Sequence, residues 1–414
     1  MKKKIKNKRK GIALLGVLIV VIFLGMLMAT AFLSASTYRT STLVKSGSDR
    51  ALYCAQAGVE EALRVLRNGA GGLGVNWAGV PNPTDVFGTD PAGNTITVGQ
   101  YTIVPDPIGP VPDGVWFNIP YQITGQAESL DGPDTVRRLD VVLRAMNPSS
   151  NMFTSSSVVR VRGGRTINGN VLGDRIFFDQ ASSANPTQVS GSVNFITSVD
   201  GVGPESNVQV GGQVNQVSNV VFPVINMSNF TGEGILRIPD GETLDLSAIN
   251  PLTVSGGRGI IFAEGVLRVK GILSGGPLAI AAAGNILITD SVGGTFDTSA
   301  IPFTPDDPNV QLGLFSQGSV IIDSTAPQNL NINAFIMANQ SFETNGAPNS
   351  KTQLNILGSV CVYGNNGGDA SVFETGAYTN AAFDYNTNFQ NNNRIPQMFY
   401  FANLLELAIT GDPV

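Results

Sequence analysis

The spacing of hydrophobic positions changes three times along the chain, and each change predicts a different element. Residues 12–33 (IALLGVLIVVIFLGMLMATAFL) run 22 positions without a charge. At ~1.5 Å per residue that is about 33 Å of helix, which matches a bilayer core. Residues 34–68 turn polar but keep a helical period. Leu52, Ala55, Val59, Ala62, Leu63 and Leu66 recur at three and four, while Arg50, Glu60, Glu61, Arg64 and Arg67 decorate the other faces. Asn68-Gly69 supplies a stop. Between the two helical parts, the Ser/Thr-rich run from Ser34 to Ser48 with Gly47 has poor helix propensity and predicts a bend or melted stretch.

Residues 70–94 are rich in Gly, Pro, Asn and Asp and read as a linker or surface loop. The period then falls to two. Segments 95–104, 115–125 and 135–145 are strand candidates separated by Pro/Gly/Asp turns, with alternation clearest at Leu139, Val141 and Leu143. A small antiparallel sheet packed on the stem, spanning 69–147, is the economical reading.

From 148 to 414 the texture changes again. Short apolar pieces with Gly or Asn at their ends recur, such as GIIFAEG, VLRVKG, LAIAAAG, NILITD, LNINAFIMA and LNILGSVCVYG. That pattern predicts a parallel β-helix, in which like residues stack from coil to coil and Gly and Asn take the turns. The irregular repeat length favours a right-handed one. The alternative is a β-sandwich or jelly roll, which needs clean alternation for its solvated faces. Leu278-Ala279-Ile280-Ala281-Ala282-Ala283 is apolar on both parities and argues against it. The fold class is thus mainly β with a long N-terminal helix.

Charge then orients the chain. Seven of the first ten residues are Lys or Arg, so the N-terminus is expected to stay cytoplasmic and everything after Leu33 to lie outside. A cleaved secretory signal and a plain uncleaved anchor are the competing readings of this end. The junction Arg9-Lys10-Gly11 followed by Ile12-Ala13-Leu14-Leu15 resembles the prepilin leader of type IV pilins and type II secretion pseudopilins. The resemblance implies residues 1–11 as a leader cut after Gly11 by a prepilin peptidase, with Ile12 as the new terminus and 12–33 as the membrane helix. It also implies Leu14, Leu15, Gly16, Val17 and Leu18 as helix-packing positions toward other pilin subunits or the lipid bilayer. Most major pilins carry a glutamate where this chain has Gly16. Ala51-Leu52-Tyr53-Cys54-Ala55-Gln56-Ala57-Gly58-Val59-Glu60-Glu61-Ala62-Leu63 resembles the stem of PilX-like minor pilins, which commonly lack that acid. The order of parts is also similar to an uncharacterised β-helical domain that follows such N-termini in bacterial envelope proteins, including Ala382-Phe383-Asp384-Tyr385 and Arg394-Ile395-Pro396.

Composition narrows the chemistry. Without the leader the chain has 18 Lys+Arg against 31 Asp+Glu, which disfavours nucleic acid as a partner. There is no histidine, so Ser-His-Asp and Cys-His catalysis and His-based zinc sites are excluded. Cys54 and Cys361 are too few for a disulfide framework and are expected to be unpaired thiols. The clustered carboxylates that a β-helical polysaccharide lyase or hydrolase would need are limited to Asp297, Asp306 and Asp307, and to Asp240, Glu242 and Asp245; turn formation is their simpler role. Asn391-Asn392-Asn393 is read as an exposed loop, with glycan contact as the alternative. The expectation is a non-enzymatic minor pilin or pseudopilin without cofactor or metal, serving pilus assembly, secretion or adhesion. The alternatives are an unprocessed envelope scaffold and a polysaccharide-active enzyme.

Overall fold

In the computed structural model one helix, α1 (Lys4–Arg67), carries the apolar run and the stem together. The described residues run from 4 to 67 and from 82 to 410, with breaks at 91, 106–110, 114–115, 128–134, 147–149, 180, 204–205, several positions between 218 and 226, 365–372, 392–394 and 397–400. The melted stretch expected as one alternative at 34–48 is absent, since α1 runs through these residues without a break. Along and just before this run the hydroxyls of Thr30, Ser36, Thr37, Thr40 and Thr42 each donate to a carbonyl three or four residues back, at 2.8 to 3.0 Å. Side chains that would compete with the helix elsewhere are here bound to its own backbone.

The second half of α1 lies on an antiparallel sheet of β1 (Thr84–Thr89), β2 (Thr95–Pro105), β3 (Trp116–Ala127), β4 (Thr135–Met146) and β5 (Phe401–Thr410), paired in that order, with the short strand Val111–Asp113 also paired to β3. The three strands expected from period two are present within two residues of their predicted bounds. Ala55, Val59, Ala62, Leu63 and Leu66 of the helix share one core with Tyr101, Ile103, Ile119, Ile123, Leu139, Val141 and Leu143. Burial of that stripe is what holds helix to sheet, at roughly 25 cal/mol per Å² of apolar surface.

Two corrections concern this sheet. The run 70–94 is not wholly a linker, because Thr84–Thr89 forms an edge strand beside β2. The boundary 148–414 also fails at its far end, because β5 leaves the body and pairs antiparallel with β4. Entry to and exit from the body therefore run side by side.

The body is a large parallel sheet, not the antiparallel layers of a sandwich or jelly roll. One row of strands stacks in the order Leu236–Ile238, Ile260–Ala263, Leu278–Ala282, Leu312–Ser316, Asn329–Ala338, Lys351–Val362, Phe153–Arg162, Val171–Asp179, Val193–Asp200, Val214–Gln216. The order is not that of the chain. Residues 153–216 climb away from the middle of the stack, and residues 236–385 begin at the opposite end and wind back to the middle. There Val360 sits opposite Phe153, and Phe383 sits opposite Ile167.

Register keeps like beside like. Leu236, Ile261, Ile280, Leu314, Ile336, Val360, Phe153, Val171, Val193 and Val214 form one continuous inward ladder. A second runs Val292, Ile332, Ile356, Phe383, Ile167, Val189, Val210. Leu278–Ala282 is buried on both faces for a definable reason. Leu278, Ile280 and Ala282 enter the main core, while Ala279 and Ala281 back onto a second layer with Phe230, Phe315, Phe335 and Phe389.

Candidate functional site: the exposed apolar helix

The chemistry-bearing feature is the exposed apolar part of α1, from Val17 to Leu33 among the described residues. From Val17 to Leu33 the large apolar side chains are 50 to 76 % exposed. An unbroken apolar surface of that extent is not stable in water and marks a membrane or protein contact. This helix is long and apolar enough to cross a membrane.

The exposed part continues directly from the part of α1 that is seated on the sheet. Helix and sheet first meet at Gly47, where an added Cβ would lie 2.6 Å from Thr135 Oγ1, and at Ser48, whose hydroxyl accepts from Arg137 Nε at 2.8 Å. One turn further on, the helix backbone rests directly on Gly125 of β3. A Cβ there would fall 2.1 Å from the Ala51 carbonyl oxygen and 2.4 Å from the Ala55 nitrogen. Small residues at Ala51, Cys54, Ala55 and Gly58 thus act as the seat. On the outer face, Arg64 grips Glu61 with two 2.6 Å hydrogen bonds, and these hold the Glu61 carboxyl below the usual carboxylate range.

Of the positions singled out in the sequence, Gly11, Ile12, Leu14, Leu15 and Gly16 lie on α1, and their surroundings are outside the described residues. Val17 and Leu18 are exposed, at 62 and 56 %. Asn391 ends a short helical turn, and Asn392 and Asn393 are outside the described residues. Both thiols are buried and unpaired.

Three of the candidate carboxylates, Asp245, Asp297 and Asp307, are engaged in separate local turns, and Asp240 bonds to a residue remote in sequence. Asp245 caps Ser247, whose side-chain hydrogen bond is the main cause of its lowered pKa, and stands 3.7 Å from Lys270. Asp297 accepts from the Ser299 nitrogen at 2.8 Å and from its hydroxyl at 2.9 Å, which lowers its pKa in the same way. Asp240 accepts from the Val266 nitrogen, and Asp307 from the Asn309 nitrogen. Among the described residues no three His, Cys, Asp or Glu side chains are grouped so as to hold a metal ion. The residue sequence reasoning missed is Asp384, a carboxylate buried between strands at the middle of the stack. Its signal in the sequence was an acid directly after Ala381-Ala382-Phe383.

Fold and site together define a chain with one N-terminal helix able to span a bilayer and a β-rich body behind it. No protein-family model and no curated protein matches it. Among solved structures, the competence-associated pilin ComZ from Thermus thermophilus is similar over 89 % of this chain and 98 % of its own, at 14 % identity and a TM-score of 0.29. An ice-binding protein from the Antarctic ascomycete Antarctomyces psychrotrophicus is similar over 58 % of this chain and 96 % of its own, at 12 % identity and a TM-score of 0.22. At these scores neither likeness carries a fold or a function across.

Proposed function

We propose that this chain is a pilin-like protein of the minor pilin or pseudopilin kind, anchored in the bacterial cytoplasmic membrane by residues 12–33 with its leader inside and its body outside. The supporting observation is the division of α1 into a bare apolar half and a half seated on a small antiparallel sheet. That arrangement suits a helix whose free half is covered by lipid before assembly and by neighbouring subunits after it. In this reading Gly11 is the scissile position and Ile12 the new terminus. Leu14, Leu15, Gly16, Val17 and Leu18 form the surface offered to other helices.

The large parallel stack is read as a β-helix displayed at a filament tip or on the envelope, with a role in assembly, secretion or adhesion and without catalysis. A chain with no histidine, and with Asp245, Asp297 and Asp307 engaged in local turns, favours display over chemistry. Intact-mass measurement of the protein from its native membrane, with and without the host prepilin peptidase, tests the reading. Loss of residues 1–11 only when the peptidase is present supports it. An uncut chain in both samples overturns it in favour of a static envelope anchor.

A further inference from the structure

We propose that the two ends of the large parallel stack are complementary halves of one docking surface, by which the body binds a second copy of this chain head to tail. The inference goes beyond the pilin reading and does not depend on whether residues 1–11 are removed.

The inward ladder carries the argument. Its eight interior members are at most 3 % exposed, whereas its terminal residues, Val214 and Leu236, are 41 and 44 % exposed. Each belongs to a three-residue strand, Val214–Gln216 or Leu236–Ile238, that is paired on one side only among the described residues. A strand paired on one side presents N–H and C=O groups to a further strand; in Leu236–Ile238 these are the Arg237 groups, because the Leu236 N–H donates to Ser255 Oγ at 2.8 Å and the Ile238 carbonyl accepts from Glu264. Both end strands run in the same direction and have the same length. Placing one copy's Val214–Gln216 beside the next copy's Leu236–Ile238 extends the same parallel register.

That register also matches side chains. Val214 meets Leu236, so the two half-exposed ends of the ladder cover each other. Asn215 meets Arg237. Asn215 Nδ2 donates to Asn194 Oδ1 at 3.4 Å, which leaves its carbonyl oxygen directed to the open side of the amide row. Arg237 lies 3.6 Å from Glu264 and over the Phe262 ring, and its guanidinium has donors beyond those it uses there. Around each joint the core is thinly covered, with Val210 partly buried at one end and Ile238 and Ile249 at the other. Because the two surfaces differ, the contact is heterologous and leaves a free end after every addition.

The test uses the full chain in nanodiscs that hold one anchor each, so that only the bodies can associate. Sedimentation velocity of wild-type discs is expected to show concentration-dependent growth beyond single discs. Val214→Lys and Leu236→Lys should each abolish it, with melting temperatures close to wild type. An equal mixture of the two should recover a two-disc species and nothing larger, because one intact half remains on each. Should a lysine variant fail to fold, Arg237→Glu, at an exposed position, gives the same readout. Wild-type discs that stay single, variants that associate as wild type does, or a mixture that stays single would each overturn the proposal.

Discussion

Asn168 and Asp384 are 216 positions apart in the chain yet opposite each other in a parallel pair, with Asn168 Nδ2 donating to Asp384 Oδ1 at 2.6 Å. The Ser190 hydroxyl in turn donates to Asn168 Oδ1 at 2.5 Å, and the Phe303 nitrogen donates to the other Asp384 oxygen. One carboxylate thus gathers both halves of the stack and the loop carrying Phe303. Burial is the main influence on it and raises its pKa, against the lowering effect of those hydrogen bonds.

A pH dependence of known sign follows. With the folded pKa above the unfolded value, this group's contribution to stability is fully present below the unfolded carboxylate pKa and is lost as pH rises through the folded one. Comparing wild type with Asp384→Asn isolates it from the other acids. The urea midpoint of wild type relative to the variant should rise as pH is lowered from 7 toward 4. A flat or opposite trend would contradict the assignment.

Gly125→Ala should separate helix from sheet, because the new methyl meets backbone atoms of α1 that cannot rotate away. Overpacking of this kind costs about 1–3 kcal/mol. Gly203→Ala, with nothing within 4 Å, is the control. Thermal melts that fail to distinguish the two variants would disprove the close seat.

Lys351 is buried, and the nearby Asp323 carboxylate acts on its charge. Its ammonium donates to the Ala326 carbonyl and, at 3.4 Å, to that of Asp323, and it lies 5.7 Å from the Tyr378 ring. Lys351→Ala removes the packed stem and leaves these carbonyls without that donor, a loss of roughly 2–3 kcal/mol. Lys351→Met keeps the stem and should lose less. Equal losses in chemical denaturation would show that packing of the stem contributes nothing.

Both thiols should be silent in the native protein. Burial pushes Cys361 up to about 12 and raises Cys54 as well. A thiol reagent at pH 8 should titrate neither thiol before unfolding and both afterwards. Reaction of a native thiol would mean that the surrounding core opens.

Elements whose signal is local were readable from the sequence. Leu139, Val141 and Leu143 alternate because one face of β4 is buried, and the helical spacing from Leu52 to Leu66 exists because one face of α1 is. The missed strands β1 and β5 lack such a signal. The register of β1 shifts between Val86 and Phe87, and that of β5 between Leu404 and Glu406; each irregularity breaks the period of two on which recognition depends. The continuity of α1 was hidden because propensity counts Ser and Thr against a helix without knowing where their hydroxyls bond. Stacking order was not legible at all, since nothing local to Phe153 distinguishes Val360 from any other valine as its neighbour. Asp384 shows the same limit: its role is set by Asn168 and Phe303, both remote in sequence.

The midpoint entry of the chain into its stack bears on how the molecule comes into being. A solenoid wound in sequence order can grow coil by coil behind the ribosome or the export channel, each turn templating the next. Here the strand Phe153–Arg162 is made early but waits for Lys351–Val362 on one of its edges, and β4 waits for β5. Such distant pairings are slow to form and leave apolar edges uncovered meanwhile. Completion of the body is thereby postponed until Phe401–Thr410 is available to settle beside the strand that led into the stack.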